Sequence, residues 1–287
     1  MHAAKQKGPL YMAAAALCWS FGGLGIRLIP WGAMSIIGMR AFLAAIVFAL
    51  YRRSIKIQWT RGNILSALCL AATTMLFVFA NKLTTAACAI FLQFTAPIFI
   101  ILLELLLFRK KPKPSAAIAV AVTLGGMLLL LAGQMDSGGL LGNLLAIGSG
   151  LAFAGVFVSN KRPDTVPEQS LLLGFAINAV IGLPFVFFES AMDAVAWGAI
   201  LVLGVVQVGL AYVFFSKGIQ KTPALAACLI TALEPVLNPV WVALVTTEKP
   251  GALAVAGGAV IIATVVLYNL WTQRAAVHAA KASGKRA

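Results

Sequence analysis

The sequence predicts an all-α polytopic membrane protein of ten transmembrane helices arranged as two inverted five-helix repeats, on three observations. Of its 287 residues 61% are hydrophobic and only 10% charged, with a mean hydropathy of +0.98, against roughly 45–50% apolar and about 25% charged in soluble domains. A hydrocarbon core about 30 Å thick needs about 20 apolar residues at 1.5 Å rise, and hydropathy places such runs at 10–29, 33–51, 63–80, 84–108, 115–133, 141–158, 169–187, 195–215, 223–245 and 251–271. The chain also matches itself without a gap at an offset of 138 residues.

The first run follows Lys5 and Lys7 as a signal peptide would, but it continues through Trp19 and Arg27 with no small-residue cleavage site, so it reads as the first span. Threading the rest with the N-terminus inside puts Arg52, Arg53, Lys56, Arg61, Arg109, Lys110, Lys111, Lys113, Lys161, Arg162, Lys217, Lys221, Arg274, Lys281, Lys285 and Arg286 on the cytoplasmic side. Arg27, Lys82 and Lys249 fall opposite. That asymmetry obeys the positive-inside rule loop by loop and predicts a multi-pass plasma-membrane protein with both termini cytoplasmic. The formal charge of +14 is thereby spent on topology, and a nucleic-acid surface, which needs one clustered basic face, is not expected. Cys18, Cys69, Cys88 and Cys228 lie in apolar runs without metal-ligand spacing and read as packing residues.

The internal match pairs Trp59 with Trp197, Phe77 with Phe215, Thr84 with Thr222, Ala89 with Ala227, Pro97 with Pro235, and Lys111-Pro112 with Lys249-Pro250. Tryptophan, proline and a Lys-Pro pair are not generic lipid-facing residues, so the agreement marks a duplication, with repeats at 1–137 and 138–287. Five spans per repeat is an odd number. The second repeat therefore enters the membrane inverted, an arrangement that builds a substrate site near the midplane between halves.

Few ionisable residues lie within the runs, and each costs roughly 2.5–3.5 kcal/mol at the centre of a lipid-facing helix, so each is expected to face the bundle interior. Arg40 stands in the second span, and a cavity-facing guanidinium could grip a carboxylate with parallel hydrogen bonds; the structural alternative is a lock between helices. Glu104 in the fourth span reads as snorkelling or as part of a gate. In the ninth span Thr231, Glu234, Asn238 and Trp241 share one helical face, with Glu234 able to bind an ammonium, to exchange a proton, or to satisfy backbone beside the prolines. Pro97, Pro235 and Pro239 would free the carbonyls of Gln93, Thr231 and Pro235, making candidate hinges or static kinks. Gln93, Asn178, Gln207 and Tyr212 add polar groups at depth, and Trp19, Tyr212 and Trp241 could line a cavity or simply pack.

The run from Phe77 to Ala87, the motif from Gln93 to Pro97, their partners from Phe215 to Gly218 and Leu233 to Val236, Leu17 to Ser20, and Arg40 to Ala45 together resemble the EamA-like branch of the drug/metabolite transporter superfamily. The likeness covers nearly the whole chain. It implies ten helices in two inverted repeats around a central cavity, and movement of small organic solutes, often export of amino acids or related metabolites. One departure is Arg109-Lys110-Lys111 in the first repeat where the second has Thr247-Glu248-Lys249, so that loop acid occurs once.

Both histidines, His2 and His278, are near the ends, and neither paired aspartates at depth nor a nucleophile elbow nor a phosphate-binding loop occurs, so an enzyme is not expected and no cofactor or metal is implied. The expected function is a secondary transporter working by alternating access as a monomer or homodimer. Its partners would be the lipid bilayer and a small-molecule substrate, with protons as a candidate coupled ion. Amine or drug efflux and lipid or lipid-linked sugar flipping are the alternatives, the latter needing a lateral opening.

Overall fold

A computed structural model describes residues 2–132, 139–191, 193–237, 240 and 251–282; Asn238, Pro239 and Trp241 of the expected site lie outside them. The first span is two helices, α1 (His2–Trp19) and α2 (Gly22–Arg27); the second is α3 (Ala33–Arg52) and the third α4 (Arg61–Leu83). The fourth is again two, α5 (Ala86–Gln93) and α6 (Ala96–Phe108), followed by α7 (Pro114–Leu130), α8 (Leu140–Ser159) and α9 (Pro167–Val186) as spans five to seven. The eighth runs from α10 (Ala194–Leu201) through a π-helical stretch (Val202–Leu210) into α11 (Ala211–Ile219). The ninth begins with α12 (Ala224–Thr231) and is helical again over 233–237, and the tenth is α13 (Ala252–Ala282).

Local chemistry sets the ends. The Thr60, Thr85 and Asp193 side chains accept hydrogen bonds from the amides of Asn63, Cys88 and Ala196, satisfying first-turn donors. Pro114 and Pro167 open their helices, where a missing N–H costs nothing. Arg53 and Arg109 close α3 and α6 in the left-handed conformation, at φ of 51° and 52°. Pro97, expected inside a helix, lies instead at the start of one. The fourth span ends one helix at Gln93 and starts another at Ala96, so Pro97 sits in a first turn, where it fits without strain.

The duplication is visible residue by residue. At the same 138-residue offset α12 (Ala224–Thr231) reproduces α5 (Ala86–Gln93), and α13 starts at Ala252 where α7 starts at Pro114. Helix pairing follows a pseudo-two-fold axis: α3 packs on α9 and α7 on α13, each joining a span to its own repeat mate. Likewise α4 packs on α8, while α11, the mate of α4, packs on α1, the mate of α8. With five spans per repeat, the second repeat is inverted relative to the first.

At the α3–α9 crossing two glycines meet backbone to backbone. A Cβ on Gly38 would lie 2.2 Å from the Gly182 carbonyl carbon, and one on Gly182 would lie 2.5 Å from the Gly38 nitrogen. Without a hydrophobic drive between helices in lipid, such close backbone approach is what holds a crossing together. Away from the bundle interior, Leu106, Ile118, Leu140 and Val180 turn 73%, 63%, 75% and 75% of their surface outward, as lipid-facing residues should.

Candidate functional site

A cluster of rings packs in the bundle interior. Trp19 meets Tyr212 edge-on at 5.0 Å and Phe153 at 5.8 Å; Tyr212 in turn meets Phe175 at 5.4 Å and Phe215 at 5.6 Å. Such edge-to-face contacts hold the rings in fixed orientations. Above them is a small cavity of about 40 Å³ lined by Trp19, Arg40, Gln93, Gln207, Tyr212 and Glu234, together with Thr73, Thr74, Phe77, Phe153 and Val208. Ligand pockets usually measure about 300–1,000 Å³ and one water needs about 10–15 Å³. The cavity is therefore nearly collapsed, and a solute larger than a few waters enters only as the helices part.

Arg40 is the least conventional group in this wall. It is only 5% exposed, and its Nη2 donates to Gln207 Oε1 at 2.7 Å, while Nε and Nη1 have no partner among the described residues. Buried polar groups are nearly always paired, and a charged donor left unpaired costs more than the roughly 1–3 kcal/mol of a neutral one. Gln207 reaches Arg40 from the π-helical stretch, a rare geometry that recurs at functional sites. Its amide nitrogen also lies 3.5 Å from the Trp19 carbonyl. The break between α1 and α2 permits this approach, since a Cβ on Gly22 would stand 2.7 Å from the Gln207 amide nitrogen.

Glu234 lines the cavity half-buried, and among the described residues the ion pair present is Arg162 with Asp164, so Arg40 and Glu234 do not neutralise each other. Gln93 ends α5 with its amide nitrogen donating to Ser149 Oγ at 2.7 Å, and Ser149 donates to the Thr73 carbonyl at 2.9 Å. Gly150 seats α8 against this break, where a Cβ would come within 2.7 Å of the Gln93 carbonyl oxygen.

Two expected site residues do not reach the wall. Asn178 spends its amide on the Ala71 carbonyl at 3.2 Å and on Thr74 Oγ1 at 2.5 Å, one layer behind the cavity. Thr231 is fully buried and donates to the Cys228 carbonyl at 2.6 Å. Thr73, Thr74, Phe77, Phe153 and Val208 line the cavity without having been singled out. Only Phe77 carried a signal, its match to Phe215 across the repeats.

Polar ties join the repeats at both ends. On one face Glu189 Oε1 accepts from Gly32 N at 2.8 Å and Ser35 Oγ at 2.6 Å, placing a carboxylate on the N-terminus of α3, where the helix dipole favours it. Beside it Trp31 Nε1 donates to the Ser190 carbonyl at 3.0 Å. On the opposite, basic face Asp164 Oδ2 accepts from Gly62 N at 2.8 Å, and Asn63 Oδ1 accepts from Val166 N at 2.7 Å. The Arg162 side chain, and after it the Gly62 amide, holds the Asp164 carboxyl below the usual carboxylate range. Lys161 donates to the carbonyls of Ile219 and Thr222, and burial pushes its ammonium down to about 8 against the opposing pull of Glu104.

Comparison with known proteins agrees with this architecture. The uncharacterized transporter YwfM of Bacillus subtilis is 29% identical over 250 residues, covering 79% of this chain and 81% of that protein. An uncharacterized transporter of Archaeoglobus fulgidus is 25% identical over 197 residues, 68% of this chain and 71% of its own. The pseudopaline exporter CntI of Pseudomonas aeruginosa is 24% identical over 223 residues, 75% of each chain. One solved protein structure superposes with a TM-score of 0.78 at 18% identity, over 94% of this chain and 98% of that one, and so shares the fold. The sequence model of the EamA-like transporter family matches residues 6–132 and again 140–270, once per repeat, and the chain belongs to that family of membrane transporters.

Proposed function

We propose that this transporter exports a small zwitterionic metabolite, an amino acid or close derivative, by alternating access between two states, each open at one face. The observation that carries the reading is Arg40: a buried guanidinium with two nitrogens unpartnered among the described residues, in a cavity whose Glu234 carboxylate is not its ion-pair partner. A zwitterion offers a carboxylate to the first and an ammonium to the second, and satisfies both charges at once. A neutral solute would leave both desolvated. Export is supported by the exporter named among the relatives, and the loop charges favour a plasma-membrane protein with both termini cytoplasmic and a repeat boundary near residue 138.

The test is flux in proteoliposomes of the full chain. Labelled amino acids cross faster than through protein-free vesicles, and amines without a carboxylate cross less well. The reverse ranking would redirect the assignment to amine or drug efflux, and movement of labelled lipid alone would make the protein a flippase.

In this reading Glu189 and Asp164 latch the two gates. The Glu189 tie joins a second-repeat loop to the start of α3 and must break whenever that face opens. Glu189→Ala is expected to raise the rate at which a membrane-impermeant maleimide applied to that face labels a cysteine placed at Thr74, in a background lacking Cys18, Cys69, Cys88 and Cys228. Removing two charge-assisted hydrogen bonds of about 1.5 kcal/mol each shifts a two-state equilibrium by on the order of 100-fold. Unchanged labelling would show that the tie is not part of the gate.

A further inference from the structure

A second cavity, of about 440 Å³, lies between α4, α6 and α8 on the basic face, an order of magnitude larger than the central one. It reaches the outer surface of the bundle. Leu65, Leu107 and Leu151 line it while exposing 44%, 61% and 46% of their surface. Along α8 its lining includes the small residues Gly148, Ala152 and Gly155, of which Gly155 packs on α4, a Cβ there standing 2.6 Å from Cys69 Sγ.

One end of the channel is cationic. Arg162 lines it with its side chain 39% exposed; its Nε donates to Asp164 Oδ1 at 3.0 Å, and its other guanidinium nitrogens make no further ion pair among the described residues. Phe108 lines the same cavity, and the Lys110 ammonium sits 5.4 Å over its ring. Two cations thus flank the end of a lipid-facing apolar channel, with one carboxylate engaged by only one of them. Neither cation is spent in the central site.

We propose that this groove is a binding site for an anionic phospholipid of the leaflet on the basic face, with an acyl chain along α8 and the phosphate between Arg162 and Lys110. The apolar channel gives the chain its place and the cations select the charge of the headgroup. Because α4, α6 and α8 each contribute a wall, the bound lipid braces the region around the break between α5 and α6, next to the Gln93–Ser149–Thr73 bonds. The site stands apart from the solute reading, since no group of the central cavity takes part in it.

The experiment is native mass spectrometry of the purified full chain with phosphatidylglycerol or phosphatidylcholine added in detergent, paired with melting curves. Phosphatidylglycerol is retained in preference and raises Tm more. Arg162→Gln and Lys110→Gln each lower its retention about fivefold, the loss of one cation near a membrane surface, while Arg162→Lys keeps it. Ala152→Phe, which fills the channel, lowers retention of both lipids. Equal retention of the two lipids, or retention unchanged in the two glutamine variants, overturns the proposal; so does unchanged retention in Ala152→Phe. If Ala152→Phe does not fold, the charge variants decide alone.

Discussion

Arg40→Gln lowers uptake of a carboxylate-bearing solute by about 100-fold or more and leaves the protein folded. Two of its nitrogens have no partner among the described residues, and a hydrogen bond to a charged group is worth about 1.5–3 kcal/mol. Two such bonds lost from the bound state exceed about 2.8 kcal/mol, which is two decades in affinity. Stability should move the other way. In the absence of solute the guanidinium is a buried charge with incomplete pairing, and an uncharged amide removes that cost. The melting temperature of Arg40→Gln therefore equals or exceeds that of the parent. A structural lock would behave oppositely, because breaking the 2.7 Å bond to Gln207 would loosen α3 from the π-helical stretch and lower the melting temperature with little specificity for the solute. Flux and melting curves on the same two proteins separate these outcomes.

Gly38→Ala has its large effect on folding. The new methyl would lie 2.2 Å from the Gly182 carbonyl carbon and 2.3 Å from the Leu183 nitrogen, both backbone atoms that cannot rotate away. The only relief is separation of α3 from α9, and overpacking of this kind costs about 1–3 kcal/mol, occasionally more. That movement would also draw Ser35 from Glu189 and displace Arg40, since all three belong to or bind α3. The expected result is loss of the monodisperse peak in size-exclusion chromatography, or a melting temperature several degrees lower. Gly125→Ala is the control, because a Cβ there meets nothing within 4 Å, and it should melt like the parent. A parent-like Gly38→Ala would mean the crossing has slack that the geometry denies.

What could be read from sequence depended on how far a signal reaches along the chain. Hydropathy and the 138-residue offset act over whole spans, so the ten helices and the matching of α5 with α12 were legible before any coordinates. The break at Phe94 and Thr95 was not, because a proline inside an apolar run signals a kink equally well whether the helix bends or restarts. Depth and polarity singled out Arg40, Gln93, Gln207, Tyr212, Glu234 and Trp19, which meet in one cavity. The same criteria also pick Asn178, whose amide nitrogen donates to the Ala71 carbonyl and to Thr74, because depth alone does not distinguish a group facing a cavity from one bonded behind it. Thr73 and Thr74 were invisible, since each hydroxyl is compatible with an ordinary bond to its own helix, and both make one. By sequence Glu189 is only a loop acid, and acids carry little weight in orientation. Its partner Gly32 is 157 residues away in sequence, and only the inverted packing of the repeats brings the two together.

The most direct test of the account measures binding of two ligands that share a side chain, an amino acid and the amine left when its carboxylate is removed, to purified parent protein and to Arg40→Gln by calorimetry. The parent is expected to bind the amino acid about 100-fold more tightly than the amine, and Arg40→Gln to bind the two alike, because the guanidinium is the group that reads the carboxylate. A parent that binds the amine as tightly as the amino acid would contradict it.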